Sequence, residues 1–147
     1  LNTGGMGAYA PAPCLTKALK AEAHALVEKT VAAMAAEGTP YKGVLYMGLM
    51  LTPDGPRVLE YNCRFGDPET QVLLPLLESD LFEVCMACVN GTLSQHSVAW
   101  RPGFAATVVA AAPGYPQKYP KGLAITGLED AADVADATVY HAGTRVA

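Results

Sequence analysis

Residues 57–69, RVLEYNCRFGDPE, constrain this chain more than any other stretch. Glu60, Asn62 and Arg64 stand on alternate positions, and in a β-strand every second side chain points to the same face. Three polar heads therefore share one face, while Leu59, Tyr61 and Cys63 turn to the other. Glu60 and Asn62 present only hard oxygen donors, a set that suits Mg²⁺ better than zinc or copper. Mg²⁺ held by one or two protein groups keeps its other positions for water and substrate phosphates. Arg64 adds a planar fork shaped for phosphate or carboxylate. The plain alternative is an antiparallel strand with its polar face in water.

The residues just after the strand favour the metal–phosphate reading. Asp67-Pro68-Glu69 carries the marks of a helix start: Asp67 as N-cap, Pro68 at the first helical position, and Glu69 as an acid in the first turn. A ligand-bearing strand running into a helix N-terminus is an anion-handling arrangement. Upstream, residues 1–13 form a glycine- and proline-rich loop. Gly4, Gly5 and Gly7 there free the backbone for positive φ and close approach to a ligand, and their N–H groups can form an anion-binding nest. The P-loop spacing is absent, and a plain tight turn is the competing reading.

The stretches LNTGGMGAYAPAP (1–13), GVLYMGLMLTPDGPRVLEYNCRFGDPETQVLLPLL (43–77), GYPQKYPKGLAITG (114–127) and VYHAGT (139–144) together resemble the phosphoribosylamine–glycine ligases, also called glycinamide ribonucleotide synthetases, of the ATP-grasp superfamily. NCRFGDPETQ is the most specific part. The resemblance implies an α+β fold: the C-terminal half of an ATP-grasp core, an antiparallel sheet with flanking helices, followed by an incomplete β-rich C-terminal domain. It divides the chain into residues 1–103, the second half of the catalytic domain, and residues 104–147, the truncated start of the C-terminal domain. It also implies the reaction, which joins glycine to 5-phosphoribosylamine with ATP as co-substrate, through a glycyl phosphate, in purine biosynthesis. Carried onto this chain, it makes Glu60 and Asn62 ligands of Mg²⁺ or Mn²⁺. Arg64 becomes the catalytic stabiliser of the transferred phosphoryl group. Asp67 and Glu69 join Gly4, Gly5 and Gly7 in substrate binding, with Asp67 on the ribosyl amine. The competing hypotheses are another ATP-grasp ligase or carboxylase, and a degenerate chain surviving as a binding module.

Two expected parts do not appear. The nucleotide lid and its lysine normally lie upstream in this superfamily, so the missing N-terminal half of the same enzyme is the expected partner and the segment alone is expected to be inactive. Residues 43–52 contain no acid, where many superfamily members supply a second metal-binding carboxylate.

Composition narrows the remaining classes. With 51% hydrophobic and 16% charged residues, the 147-residue chain is globular in character. A net charge of −4 offers no basic stripe for nucleic acid. No apolar run approaches the ~20 residues that span a membrane, and no secretory signal is visible, so a cytoplasmic enzyme fragment is expected. Cys85 and Cys88 form a CxxC spacing without a second pair, which favours buried, reduced cysteines over a zinc site.

The rest of the chain reads as punctuated elements. Leu19, Ala23, Leu26, Val27, Val31, Met34 and Ala35 recur at helical steps within 15–37, and Gly38 with Pro40 ends that helix. Strands follow over 43–52, apolar enough for burial on both faces, and over 57–65, joined through Pro53–Pro56. A helical pattern from Pro68 to Val89 is broken at Pro75, with a second start at Asp80 and Glu83. Strands are expected over 104–112, 123–126 and 138–142. Lys121 is a candidate for the substrate phosphate or a solvated lysine, His141 a packed strand residue, and His24 and His96 solvated surface groups.

Overall fold

The computed structural model describes residues 2–146. Leu1, which opens the glycine-rich stretch, and Ala147, which closes the tail, lie outside the described residues. The first strand, β1 (Gly7–Ala10), falls inside the stretch expected to be loop. Its partner is β4 (Ala105–Val108), antiparallel, with Gly7 opposite Val108 and Ala10 opposite Ala105. A Cβ on Gly7 would come within 2.8 Å of the Thr107 carbonyl oxygen, so only glycine allows this approach.

Helix α1 (Lys17–Ala36) is capped by Thr16, whose hydroxyl accepts from the Leu19 amide. Leu19, Ala23, Leu26, Val27, Val31 and Met34 are half-buried, as the spacing predicts, together with Thr30, while Ala35 is exposed. Gly38, at φ 78°, turns the chain out of the helix, and the Thr39 amide closes on the Met34 carbonyl. The helix packs against β3, where the Thr30 and Tyr61 hydroxyls lie 2.6 Å apart.

Strands β2 (Tyr46–Thr52) and β3 (Gly55–Asn62) make an antiparallel hairpin. The connection is tighter than Pro53–Pro56: Thr52 pairs with Gly55 across a two-residue turn of Pro53 and Asp54, with Gly55 at φ 95°. Leu49 pairs with Val58 but Gly48 with Glu60, so Leu59 is the extra residue of a bulge. β3 stops at Asn62 rather than at residue 65, because Asn62 already pairs with Tyr46, the first residue of β2. The predicted burial of β2 on both faces does not hold: Met50 is 51% and Leu51 40% exposed.

After Asp67-Pro68, α2 (Thr70–Leu73) is a single turn followed by a 3-10 turn over Leu74–Leu76, which contains Pro75. The interruption at Pro75 is thus real. Helix α3 (Leu81–Asn90) starts where Asp80 accepts from the Phe82 and Glu83 amides, and ends at Gly91 in the left-handed region. The stretch after it returns along the 3-10 turn, with Leu77 bridged to Trp100 and the Arg101 amide bonded to the Leu76 carbonyl. In the tail, α4 (Leu128–Ala132) forms, but neither 123–126 nor 138–142 is a strand. Short apolar stretches become strands only when another backbone offers a hydrogen-bonding edge, and none reaches these two among the described residues. The α+β class stands, as two separate two-stranded antiparallel sheets with helices.

Val72 and Ala87 are the buried hydrophobic residues among those described. Val72 sits on α2, which packs against both β1 and β4 and so ties the glycine-rich stretch to the start of the tail. The chain exposes 11351 Å² of surface, whereas a compact monomer of this mass exposes roughly 7,100 Å². Much of its apolar surface has no cover.

Candidate active site

The site grows from the end of the hairpin. Glu60 lies opposite Gly48 and Asn62 opposite Tyr46. A side chain at 48 would stand 3.1 Å from Glu60 Cγ, so glycine there gives the Glu60 stem room to lie across β2. Just past the strand, Arg64 donates from Nη2 to Asn62 Oδ1 at 3.3 Å and from Nη1 to the Phe65 carbonyl at 2.8 Å. The Asn62–Arg64 contact puts these two heads on a common side, as the alternation predicts. Two of the five guanidinium donors are thereby committed, which orients the fork and leaves the others free.

Asp67 is not the helix cap. The first residue of α2 is Thr70, the capping position falls to Glu69, and no side chain caps this turn. The Asp67 carboxylate instead accepts from Gln71 Nε2 at 2.9 Å. Nor is Pro68 the first helical residue: it lies before the helix, fully buried, and a Cβ on Gly5 would stand 3.0 Å from its Cδ. Gly5, at φ 111°, thus brings the glycine-rich stretch onto the Asp67–Glu69 turn. The positive φ expected for Gly4 and Gly7 is not found. Gly4 has open space around it, and Gly7 is a strand residue.

Glu69 folds back over Gly66. A methyl on Gly66 would collide with Glu69 Oε2 and stand 2.9 Å from Tyr46 Cε2. The Tyr46 hydroxyl donates to Glu69 Oε1 at 3.2 Å. Its phenol titrates above the ordinary tyrosine range, first because it is withdrawn from water, then because Glu69 and, more weakly, Glu60 disfavour a second negative charge, against an opposing pull from Arg64. Tyr46, opposite Asn62 at the start of β2, thus ties the hairpin to Glu69 on the following turn. Residue order gives only one hint of this role: Tyr46 is the sole aromatic in the apolar run 43–52.

A cleft of about 350 Å³ opens beside this cluster, between Phe65, Asp67 and Gln71 on one side and Tyr140 and His141 on the other. His141 is exposed rather than packed in a strand, and its Nδ1 lies 3.0 Å from the Thr144 hydroxyl. Gln71 Oε1 is buried without a partner. The cysteines are free: of the CxxC pair, Cys85 is exposed rather than buried and Cys88 half-buried, and Cys14 and Cys63 are exposed. No three acid, histidine or cysteine side chains converge as a metal cluster among the described residues. Glu60 and Asn62 supply a two-residue oxygen set, which matches a cation that takes its remaining ligands from water and phosphate. Among the described residues, no helix is long and apolar enough to cross a membrane.

Residues 1–70 match the model of the phosphoribosylglycinamide synthetase ATP-grasp (A) domain, and residues 105–147 match that of the phosphoribosylglycinamide synthetase C domain. The chain belongs to the phosphoribosylglycinamide synthetase family. It is 53% identical to a phosphoribosylamine–glycine ligase of Nostoc over 99% of its own length and 35% of the ligase. To the trifunctional purine biosynthetic protein adenosine-3 of Gallus gallus it is 58% identical, over 99% of the chain and 15% of that protein. The crystal structure of the phosphoribosylamine–glycine ligase of Thermotoga maritima superposes with a TM-score of 0.67 and 41% identity, covering 83% of this chain and 30% of that one. The chain thus spans about a third or less of the family members it matches.

Proposed function

We propose that this chain is part of an ADP-forming ligase that joins glycine to 5-phosphoribosylamine, yielding glycinamide ribonucleotide, ADP and phosphate. The observation that carries the reading is the 53% identity, along nearly the whole chain, to a protein named phosphoribosylamine–glycine ligase. In the first step a glycine carboxylate oxygen attacks the γ-phosphorus of ATP, and ADP leaves. In the second, the ribosylamine nitrogen attacks the glycyl phosphate carbonyl, loses a proton, and phosphate departs. Both steps gather charge on phosphate oxygens, so fixed cationic donors contribute most of what the protein must supply.

Arg64 is the donor for the transferred phosphoryl group and the acyl phosphate, held in aim by Asn62 and the Phe65 carbonyl. Glu60 and Asn62 would hold Mg²⁺ or Mn²⁺, which when bound neutralises phosphate charge and orients the in-line attack. Asp67, steadied by Gln71, receives the amine of phosphoribosylamine, and Glu69 completes the substrate-facing acids. Gly4, Gly5 and Gly7 shape the wall on which the substrates rest. We further assign residues 1–103 to the catalytic domain and 104–147 to the C-terminal domain, with the remainder of the same cytoplasmic enzyme as partner.

The test is steady-state ADP release by the full-length enzyme that contains this segment. ADP formation that requires both glycine and phosphoribosylamine is expected. Turnover indifferent to either substrate would exclude the reading.

A further inference from the structure

The two stretches that match different domain models meet in one sheet. β1 lies within residues 1–70 and β4 within residues 105–147, and they pair from Gly7 opposite Val108 to Ala10 opposite Ala105. The pairing continues one step into the glycine-rich stretch, where the Val109 amide donates to the Met6 carbonyl at 2.9 Å. Gly7 makes room for this, since a side chain there would press on the Thr107 carbonyl oxygen. One residue before Met6, Gly5 rests on Pro68, which is fully buried and next in sequence to Asp67. The Thr3 and Gly5 amides bond only to side chains of the same stretch, Asn2 Oδ1 and Thr3 Oγ1. Among the described residues β1 has no strand partner but β4, and a strand this short has nothing of its own to fix it. The position of the glycine-rich stretch therefore depends on the far end of the chain.

The C-domain stretch reaches the same turn a second time through Tyr140 and His141, which face Asp67 and Gln71 across the cleft of about 350 Å³. Building on the proposed ligase activity, in which Asp67 receives the amine of phosphoribosylamine, we infer that Val109 is a positioning residue for that substrate. Its amide, just past the end of β4, holds the glycine-rich stretch against Pro68 and so fixes the wall beside Asp67. Gly7 serves the same end by admitting the β4 backbone. Substrate affinity depends on where that wall stands, because a small misplacement of a binding surface costs contacts and alignment together. Val109 acts through its main chain, so the size of its side chain is immaterial to this role.

The experiment compares Val109→Pro, Val109→Ala and Gly7→Ala in the full-length ligase, measuring KM for phosphoribosylamine, glycine and ATP together with kcat and thermal midpoint. Kinetics are read well below each midpoint. Val109→Pro removes the amide, whereas Val109→Ala keeps it and trims only the side chain. In Val109→Pro the phosphoribosylamine KM should rise about fivefold, the scale of one main-chain hydrogen bond, with kcat at saturation and both other KM values unchanged. Val109→Ala should leave all three KM values where they were. Gly7→Ala, which forces the Thr107 carbonyl aside, should repeat the Val109→Pro pattern. An unchanged phosphoribosylamine KM in Val109→Pro, an equal rise in all three KM values, or the same rise in Val109→Ala would overturn the inference. Should Val109→Pro fail to fold, Gly7→Ala decides, and an unchanged phosphoribosylamine KM there overturns it too. If the unsubstituted enzyme turns over with no need for phosphoribosylamine, the ligase reading itself falls and this inference with it, an outcome distinct from the others.

Discussion

Replacing Glu60 by Gln keeps the side chain's shape and removes its charge. In the full-length enzyme turnover should fall about a hundredfold, roughly 3 kcal/mol of lost phosphoryl-transfer stabilisation, measured as ADP release across a Mg²⁺ titration. Near-normal rates at limiting Mg²⁺ would remove Glu60 from the site. Asp67 admits a sharp test, because it caps no helix. Asp67→Asn can still accept from Gln71, so stability should hold while KM for phosphoribosylamine rises about tenfold, the cost of one charge-assisted hydrogen bond. An unaltered KM would leave Asp67 only its bond to Gln71. Tyr46 brings a pH signature. Its folded-state affinity for the proton is raised above the ordinary value of 10.0, so the associated stability is complete below about pH 10 and is lost as pH rises beyond it. Thermal melts between pH 9 and 11 should show the unsubstituted protein losing stability more steeply than Tyr46→Phe. That Asn62 and Arg64 turn their heads to a common side was legible from alternation. Tyr46 was not, because an aromatic in an apolar strand reads as core until its hydroxyl is seen to meet a carboxylate.

Where an element is set by its own residues, residue order was enough to find it. Helix α1 follows the three- and four-residue steps of its apolar side, and α3 starts at Asp80 because a carboxylate there satisfies two free amides. Asp80→Ala should therefore cost about 1 kcal/mol of stability, visible as a lower thermal midpoint of the full-length enzyme with substrate KM values unchanged. A midpoint that does not move would mean that packing, not the cap, holds the start of α3. The Asp67–Glu69 turn departs from its local signals for a related reason. Its Asp-Pro-Glu order carries cap signals, but the Asp67 side chain finds the Gln71 amide first, and the helix begins at Thr70. Competition between local partners of one carboxylate cannot be ranked from residue order.

Across the molecule, exposed apolar surface is the dominant fact. Phe104 is 79%, Phe82 67% and Leu59 63% exposed, and among the described residues β2 and β3 pair only with each other. Expressed by itself, the 147-residue segment should self-associate, melt without a sharp transition and release no ADP in response to glycine, because unpaired strand edges and apolar patches associate and an acyl phosphate needs water excluded. Sedimentation and a coupled ADP assay check this, and a monodisperse, active segment would contradict it. Residue order sufficed for the α+β class, the amphipathic helix, the hairpin and the succession of charged heads along 60–69, since each rests on spacing within one short stretch. That Gly7–Ala10 is a strand came from long-range pairing alone, because its partner at Ala105–Val108 lies far along the chain. Folding likewise leaves residues 123–126 and 138–142 irregular, because hydrogen bonds to another backbone, not local apolar character, make a strand. And it brings Tyr46 to Glu69, a contact between stretches that do not adjoin in sequence, which forms only when the hairpin and the turn after it close over Gly66.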